Sequence, residues 1–194
     1  FVEIAARLRR AGLHAPAIVA FDFEKGFGLL EDLGDALYRG ILTAESVPAL
    51  FPDLFSVLHC MAQKVSATGL PGYDRRLLLD ELNLFTEWYL LRHRQAPLGQ
   101  SEMTDWQAAC EILQANATSQ PQVFVHRDFH SCNLLHLPGK SPGIIDFQDA
   151  VCGPLSYDFI SLLWDRYIAW PRAQLEAWME TYRQKLGHAV PKAD

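Results

Sequence analysis

The amino-acid sequence predicts an α+β chain in which a small β-containing segment, residues 1–33, precedes a mainly helical lobe, residues 34–194. Three features of the pattern predict it. Two short apolar β-runs flank a turn near the start, long stretches beyond Pro48 carry apolar residues at helical spacing, and short β-runs return between Val123 and Ile145. Polar residues crowd the loops between those later strands, where a rigid scaffold can present chemistry.

Val2 to Ala11 reads as a short helix. Arg7, Arg9 and Arg10 fall toward its C-terminal end, where cations complement the helix dipole, and Gly12 can close it. After His14 and Pro16, Ala17–Asp22 reads as a strand, Glu24-Lys25-Gly26 as a turn and Phe27–Leu30 as the antiparallel partner. The run Glu31-Asp32-Leu33-Gly34-Asp35 breaks the pattern and reads as a connector. Pro48 and Pro52 bracket a helix start, and Asp53 to Lys64 carries Leu54, Phe55, Leu58 and Met61 at helical spacing. Asp74 to Leu91 reads as a second long helix, with Leu78, Leu82, Phe85 and Tyr89 on one face. A third, capped by Thr104 or Asp105, runs to about Ala115. Val123-Phe124-Val125 and Leu134–Leu137 read as short buried strands, and Pro138-Gly139 and Pro142-Gly143 punctuate a turn before Ile144-Ile145. Leu155 to about Tyr167 and Arg172 to Leu186 read as helices.

Composition narrows the function classes. A hydrophobic share of 49% and a charged share of 21% are ordinary for a globular protein. No apolar run reaches the ~18 residues a membrane-spanning helix needs, so no membrane partner is expected. A net charge of −6, with both signs mixed along the chain, argues against a nucleic-acid partner bound through a basic stripe. Cys60, Cys110, Cys132 and Cys152 form no CxxC pair, and no signal-peptide pattern opens the chain, so free thiols in a reducing, cytoplasmic compartment are expected. Phe1 leads into a helical pattern without a capping residue, which predicts a truncated chain with functional sequence upstream.

The sharpest motif is His126-Arg127-Asp128-Phe129-His130-Ser131-Cys132-Asn133, followed thirteen residues after Asn133 by Asp146 within Ile144-Ile145-Asp146-Phe147-Gln148-Asp149. Asp-x4-Asn alone recurs often by chance. The flanking β-runs, the spacing to Asp146 and the apolar pair before it make the combination specific. A hydroxyl that attacks phosphorus must lose a proton to a carboxylate within hydrogen-bond reach. Magnesium prefers hard oxygen ligands, which an Asn carbonyl and an Asp carboxylate supply.

This constellation resembles the catalytic loop H-x-D-x-x-x-x-N and the following metal-binding Asp of the protein-kinase-like superfamily. The resemblance implies a truncated small β-lobe followed by a mainly helical large lobe. Asp146-Phe147-Gln148-Asp149-Ala150, with Gly153-Pro154 and Tyr157-Asp158, departs from the Asp-Phe-Gly of protein kinases and looks like the aminoglycoside phosphotransferase family. Within it, HRDFHSCN with IIDFQDAVCGPLSYD most resembles the cell-wall amino-sugar kinases, which phosphorylate the anomeric hydroxyl of N-acetylmuramate and N-acetylglucosamine. The resemblance implies ATP and Mg2+ as cofactors and a small-molecule sugar as substrate. It assigns Asp128 as base, Asn133 and Asp146 as metal ligands, and Asp158 as a brace for the loop, a role compatible with a helix N-terminal carboxylate. His126 and Arg127 are expected to be structural. His130, Gln148 and Asp149 are either sugar contacts or solvated loop side chains.

Leu30, Glu31, Asp32 and Leu33 resemble the inter-lobe linker whose backbone holds the adenine edge, and would equally make a plain connector. The superfamily's phosphate-covering loop and strand Lys have no counterpart here, since Lys25 lies in a turn after the first helix. Glu3 is either the acid that would pair with that Lys or an exposed helix acid. Two alternatives stay open: the same chemistry on an aminoglycoside or other small alcohol, or a binding module without turnover.

Overall fold

The computed structural model describes residues 1–187. The chain opens with α1 (Val2–Arg10), which turns Ile4, Ala5 and Leu8 into the main core. Glu3 stays exposed and pairs with Arg7 one turn away. Arg7 also donates to the carbonyls of Ser66 (2.7 Å) and Thr68 (2.8 Å), which docks α1 on the loop that follows the next helix. Strands β1 (Ile18–Asp22) and β2 (Phe27–Leu30) form the expected antiparallel hairpin. Gly26 takes φ +71° in its turn, a conformation a side chain disfavours. Val19, Phe27 and Leu29 on this hairpin are exposed.

Helix α2 spans Val47–Lys64, six residues longer at its start than the reading from Asp53. Pro48 sits in the first turn, where a missing N–H is harmless, and Ser46 closes the preceding turn by accepting from Thr43 N (2.9 Å) and donating to Ile41 O (2.6 Å). Pro52 therefore lies inside the helix rather than at its edge. Phe51, Leu54, Phe55, Leu58 and Met61 of α2 are buried, and Phe51 and Phe55 meet the rings of Trp178 and Tyr182.

Asp74 caps α3 (Arg75–Leu84) by accepting from Leu77 N at 2.9 Å. The chain then widens into a π-helical segment, Phe85–His93, instead of continuing as one α-helix to Leu91. That wider turn changes the phase of the apolar stripe, so Leu78 and Leu82 are partly buried while Phe85 and Tyr89 are exposed. Helix α4 spans Gln100–Ser119, starting before Thr104 and ending after Ala115. Its first turn is held by Glu102, which accepts from Gly99 N at 2.8 Å.

Two small antiparallel pairs then carry the loops of interest. β3 (Gln122–Val125) pairs with β6 (Val151–Pro154), and β4 (Leu134–Leu135) pairs with β5 (Gly143–Ile144). β6 has no counterpart in the sequence-based reading, because Gly153 and Pro154 are weak strand formers. Gly153 is needed there: a Cβ would lie 3.0 Å from the Tyr73 side chain. Helix α5 is short, Tyr157–Leu163, and residues 164–167 turn away instead of extending it to Tyr167. Helix α6 (Arg172–Leu186) has the expected bounds. Phe159 of α5 stacks on Tyr182 of α6 with ring centroids 4.3 Å apart.

Leu54 is fully buried at the centre of this core. Leu54→Ala is expected to lower unfolding free energy by about 2–5 kcal/mol, measured by urea denaturation. A change below about 1 kcal/mol would remove α2 from the centre of the core.

Candidate active site

The loop between β3 and β4 is held from below by one buried carboxylate. Asp158, in the first turn of α5, accepts from His126 N (2.7 Å) and Arg127 N (3.0 Å) through its two oxygens. Arg127 takes φ +79°, so its amide and that of His126 converge on the carboxylate as a small anion-binding nest. The left-handed conformation costs about 1–2 kcal/mol in a residue with a side chain, and these two charge-assisted bonds offset it. Burial pushes the Asp158 carboxyl up to about 7, while the two amides oppose that rise.

His126 forms the second brace. It is fully buried, its Nε2 lies 3.0 Å from Ile145 O, and its Nδ1 accepts from Asp128 N at 3.3 Å. An accepting Nδ1 places the proton on Nε2, which then donates to Ile145 O. The ring thus ties the Asp128 loop to the segment that carries Asp146. Burial pushes the His126 pKa down to about 4.

The predicted base and metal ligands come together. Asn133 Nδ2 donates to Asp128 O (3.0 Å) and to Asp146 Oδ2 (3.3 Å), while Gln148 Nε2 donates to Asp146 Oδ1 (2.7 Å). Ile145 N donates to Asn133 O (3.1 Å), so backbone and side chains keep the two segments in register. Asp146 has φ +62° and is exposed, and the following Phe147 is fully buried and stacks on Phe1 at 4.9 Å. That buried ring anchors a strained backbone so that the Asp146 carboxylate faces outward. The Asp128 carboxylate accepts no hydrogen bond among the described residues, although its backbone is held on both sides. The side-chain carbonyl of Asn133, just before β4, and the carboxylate of Asp146, just beyond β5, are hard oxygen donors, a donor set that suits Mg2+.

The other predicted residues are placed as follows. His130 donates its amide to Asp128 O (3.0 Å), and its ring meets Tyr167 edge-on at 6.0 Å. Gln148 lies against Asp146 rather than standing free, and Asp149 is exposed. At the connector, Glu31 N is already donated to Ala17 O (2.8 Å). The Glu31 carboxylate turns back to Ala17 N (3.0 Å), His14 Nε2 (3.3 Å) and Arg9 (3.5 Å). Leu30 is paired with Ile18 in the hairpin, and Asp32 and Leu33 follow it beyond the strand.

Three supports were absent from the sequence-based reading. Arg127 donates to Glu81 Oε1 at 2.7 Å, and Glu81 in turn accepts from Tyr73, whose hydroxyl lies 3.0 Å from that of Tyr157. Burial, with Glu81 alongside, pushes the Tyr73 phenol upward. Asp165 is buried and accepts from Ser131 N (2.8 Å) and Tyr167 N (2.9 Å).

The His126 ring is expected to remain a neutral Nε2–H tautomer down to about pH 4, as read from long-range proton–nitrogen NMR correlations. A midpoint near the ordinary histidine value would overturn this arrangement. The sign for stability follows from the lowered pKa. His126's contribution is complete above about pH 6.5 and is lost as pH falls toward 4, because the unfolded chain takes up a proton that the folded chain refuses.

Comparison with known proteins shows what the chain is similar to. The chain is 41% identical over 186 residues to the N-acetylmuramate/N-acetylglucosamine kinase of Pseudomonas aeruginosa, and 39% identical over 185 residues to that of Pseudomonas putida. Each alignment covers 95% of this chain and 54% of the relative, so the chain spans about half the length of the curated relatives it matches. Among solved structures, the ADP-bound aminoglycoside phosphotransferase APH(2'')-Ib superposes with a TM-score of 0.63 at 20% identity, covering 94% of this chain and 65% of that one. The choline kinase LicA from Streptococcus pneumoniae gives 0.67 at 15% identity, covering 97% and 61%. These distant likenesses show a kinase-like fold, and a model of the phosphotransferase enzyme family matches residues 1–193. The chain belongs to the phosphotransferase enzyme family.

Proposed function

We propose that this chain carries the phosphoryl-transfer loop of an ATP- and Mg2+-dependent kinase acting on the anomeric hydroxyl of N-acetylmuramate or N-acetylglucosamine, in cytoplasmic cell-wall recycling. The observation that carries the reading is the Asp128 carboxylate, unengaged among the described residues, on a backbone locked beside the Asn133–Asp146 pair. The names of the curated relatives support the choice of sugar. A polycationic aminoglycoside calls for several carboxylates, and among the predicted contact residues Asp149 alone offers an exposed one.

In this reading Asp128 accepts the proton of the sugar hydroxyl as that oxygen bonds to the γ-phosphorus, while the bond from that phosphorus to the bridging oxygen breaks and ADP leaves with the electron pair. Asn133 Oδ1 and the Asp146 carboxylate hold Mg2+, and Gln148 and Asn133 orient that carboxylate through its two oxygens. Held there, Mg2+ would supply positive charge to offset what develops on the transferring phosphoryl group. His126 keeps the base-bearing and metal-bearing segments in register, so the chain contributes positioning more than covalent chemistry. The backbone of Leu30, Asp32 and Leu33 supplies the edge for adenine.

Asp128→Asn is expected to abolish transfer to either amino sugar in a coupled ADP-release assay while sugar binding by calorimetry persists. Retention of most of the activity would sink the base assignment. Asp146→Ala is expected to remove the Mg2+ dependence of nucleotide binding, and an unchanged magnesium titration would take Asp146 out of the metal site.

A further inference from the structure

The two sugars named for the curated relatives differ in one chemically decisive way: N-acetylmuramate carries a lactyl carboxylate and N-acetylglucosamine does not. A site that accepts both needs a cation that serves the first without being required by the second. The arginine nearest the base in sequence is unsuited, because Arg127 is already neutralised by Glu81 at 2.7 Å.

A second arginine reaches the catalytic loop from elsewhere. Arg39 lies in the short 3-10 turn Tyr38–Gly40, just beyond the connector, and its amide donates to Ser131 O at 3.0 Å. Its guanidinium stands 4.5 Å from the centre of the Tyr167 ring, which also meets the His130 ring. Asp165 fixes this corner by accepting from both Ser131 N and Tyr167 N, so loop, turn and aromatic ring are joined through one buried carboxylate. Arg39 is exposed and has no carboxylate within salt-bridge distance among the described residues. Its stacking on Tyr167 restricts the guanidinium while leaving its N–H edge open, the arrangement that suits fork-like carboxylate recognition. His130, which meets the same Tyr167 ring, has a buried Nδ1 with no hydrogen-bond partner among the described residues.

We infer that Arg39, held over the Tyr167 ring that His130 also meets, is the specificity residue that binds the carboxylate of a carboxylate-bearing amino sugar. The inference rests on the amino-sugar reading of the site and adds to it the group that distinguishes its two substrates. Asp165 acts as a positioning residue, through Ser131 and Tyr167.

The test compares the chain with Arg39→Ala and Arg39→Gln, measuring both turnover with magnesium-ATP and calorimetric binding, with N-acetylmuramate and N-acetylglucosamine as separate ligands. Affinity and kcat/KM for N-acetylmuramate are expected to fall about tenfold or more, as for loss of a charge-assisted pair, while values for N-acetylglucosamine stay within about twofold. Added salt is expected to weaken binding of N-acetylmuramate alone. Equal losses for both sugars, no loss for either, or no binding of either sugar to the unsubstituted chain would overturn the role of Arg39. Selective loss of N-acetylmuramate binding without turnover in any form supports the inference while removing the phosphotransfer reading. Normal turnover of both sugars by Arg39→Ala removes the inference and leaves that reading intact.

Discussion

The site depends on one carboxylate that never needs to meet a ligand. Asp158 offers both oxygens to two successive amides and so stabilises the left-handed turn at Arg127, the residue immediately before Asp128. Without those acceptors, two buried N–H groups would be left unsatisfied and the turn would lose the interaction that offsets its strain. The direction of the Asp128 side chain is thus set from the far side of the loop. Asp165 repeats the device at Ser131, so two buried acids grip the loop at two points.

His126 complements this grip with a different chemistry. Burial lowers its affinity for a proton and raises that of Asp158 for one, so the two groups respond oppositely between about pH 4 and 6.5. A neutral imidazole can both accept and donate, which an imidazolium cannot, and both functions are used here. Under moderate acidification the ring therefore stays neutral while Asp158 takes up a proton, and the two shifts offset one another in stability.

The parts legible in the sequence were those whose residues are close together along the chain. His126, Asp128, Asn133 and Asp146 share a short stretch with fixed spacings, and the structure brings them together. Glu81 and Asp165 were not legible, because each meets its partner across a long separation: 46 residues from Arg127 and 34 from Ser131. No local pattern marks such a contact; only the packing of α3 and of the turn after α5 creates it. The same holds for Arg39, an unremarkable exposed arginine until its turn is seen against Ser131. Among the elements, the hairpin and α6 followed their local patterns, whereas β6 was hidden by Gly153 and Pro154. The segment Phe85–His93 was misread because a wider helical turn changes which side chains share a face.

The bond from Ile144 N to His14 O, at 2.9 Å, joins β5 to the loop behind α1. Only Ile145 separates Ile144 from Asp146, and the adjoining Glu31 carboxylate ties His14 to the connector. Mechanically, the outward-facing acid therefore rides on the same lever as the hairpin and connector. A hinge rotation there would tug on Asp146 and reach Asp128 through Asn133 and His126, against the grip of α5 and α3 on the two residues before Asp128. Two side chains gear the segments together: His126 bonds Asp128 N and Ile145 O, and Asn133 bonds Asp128 O and the Asp146 carboxylate.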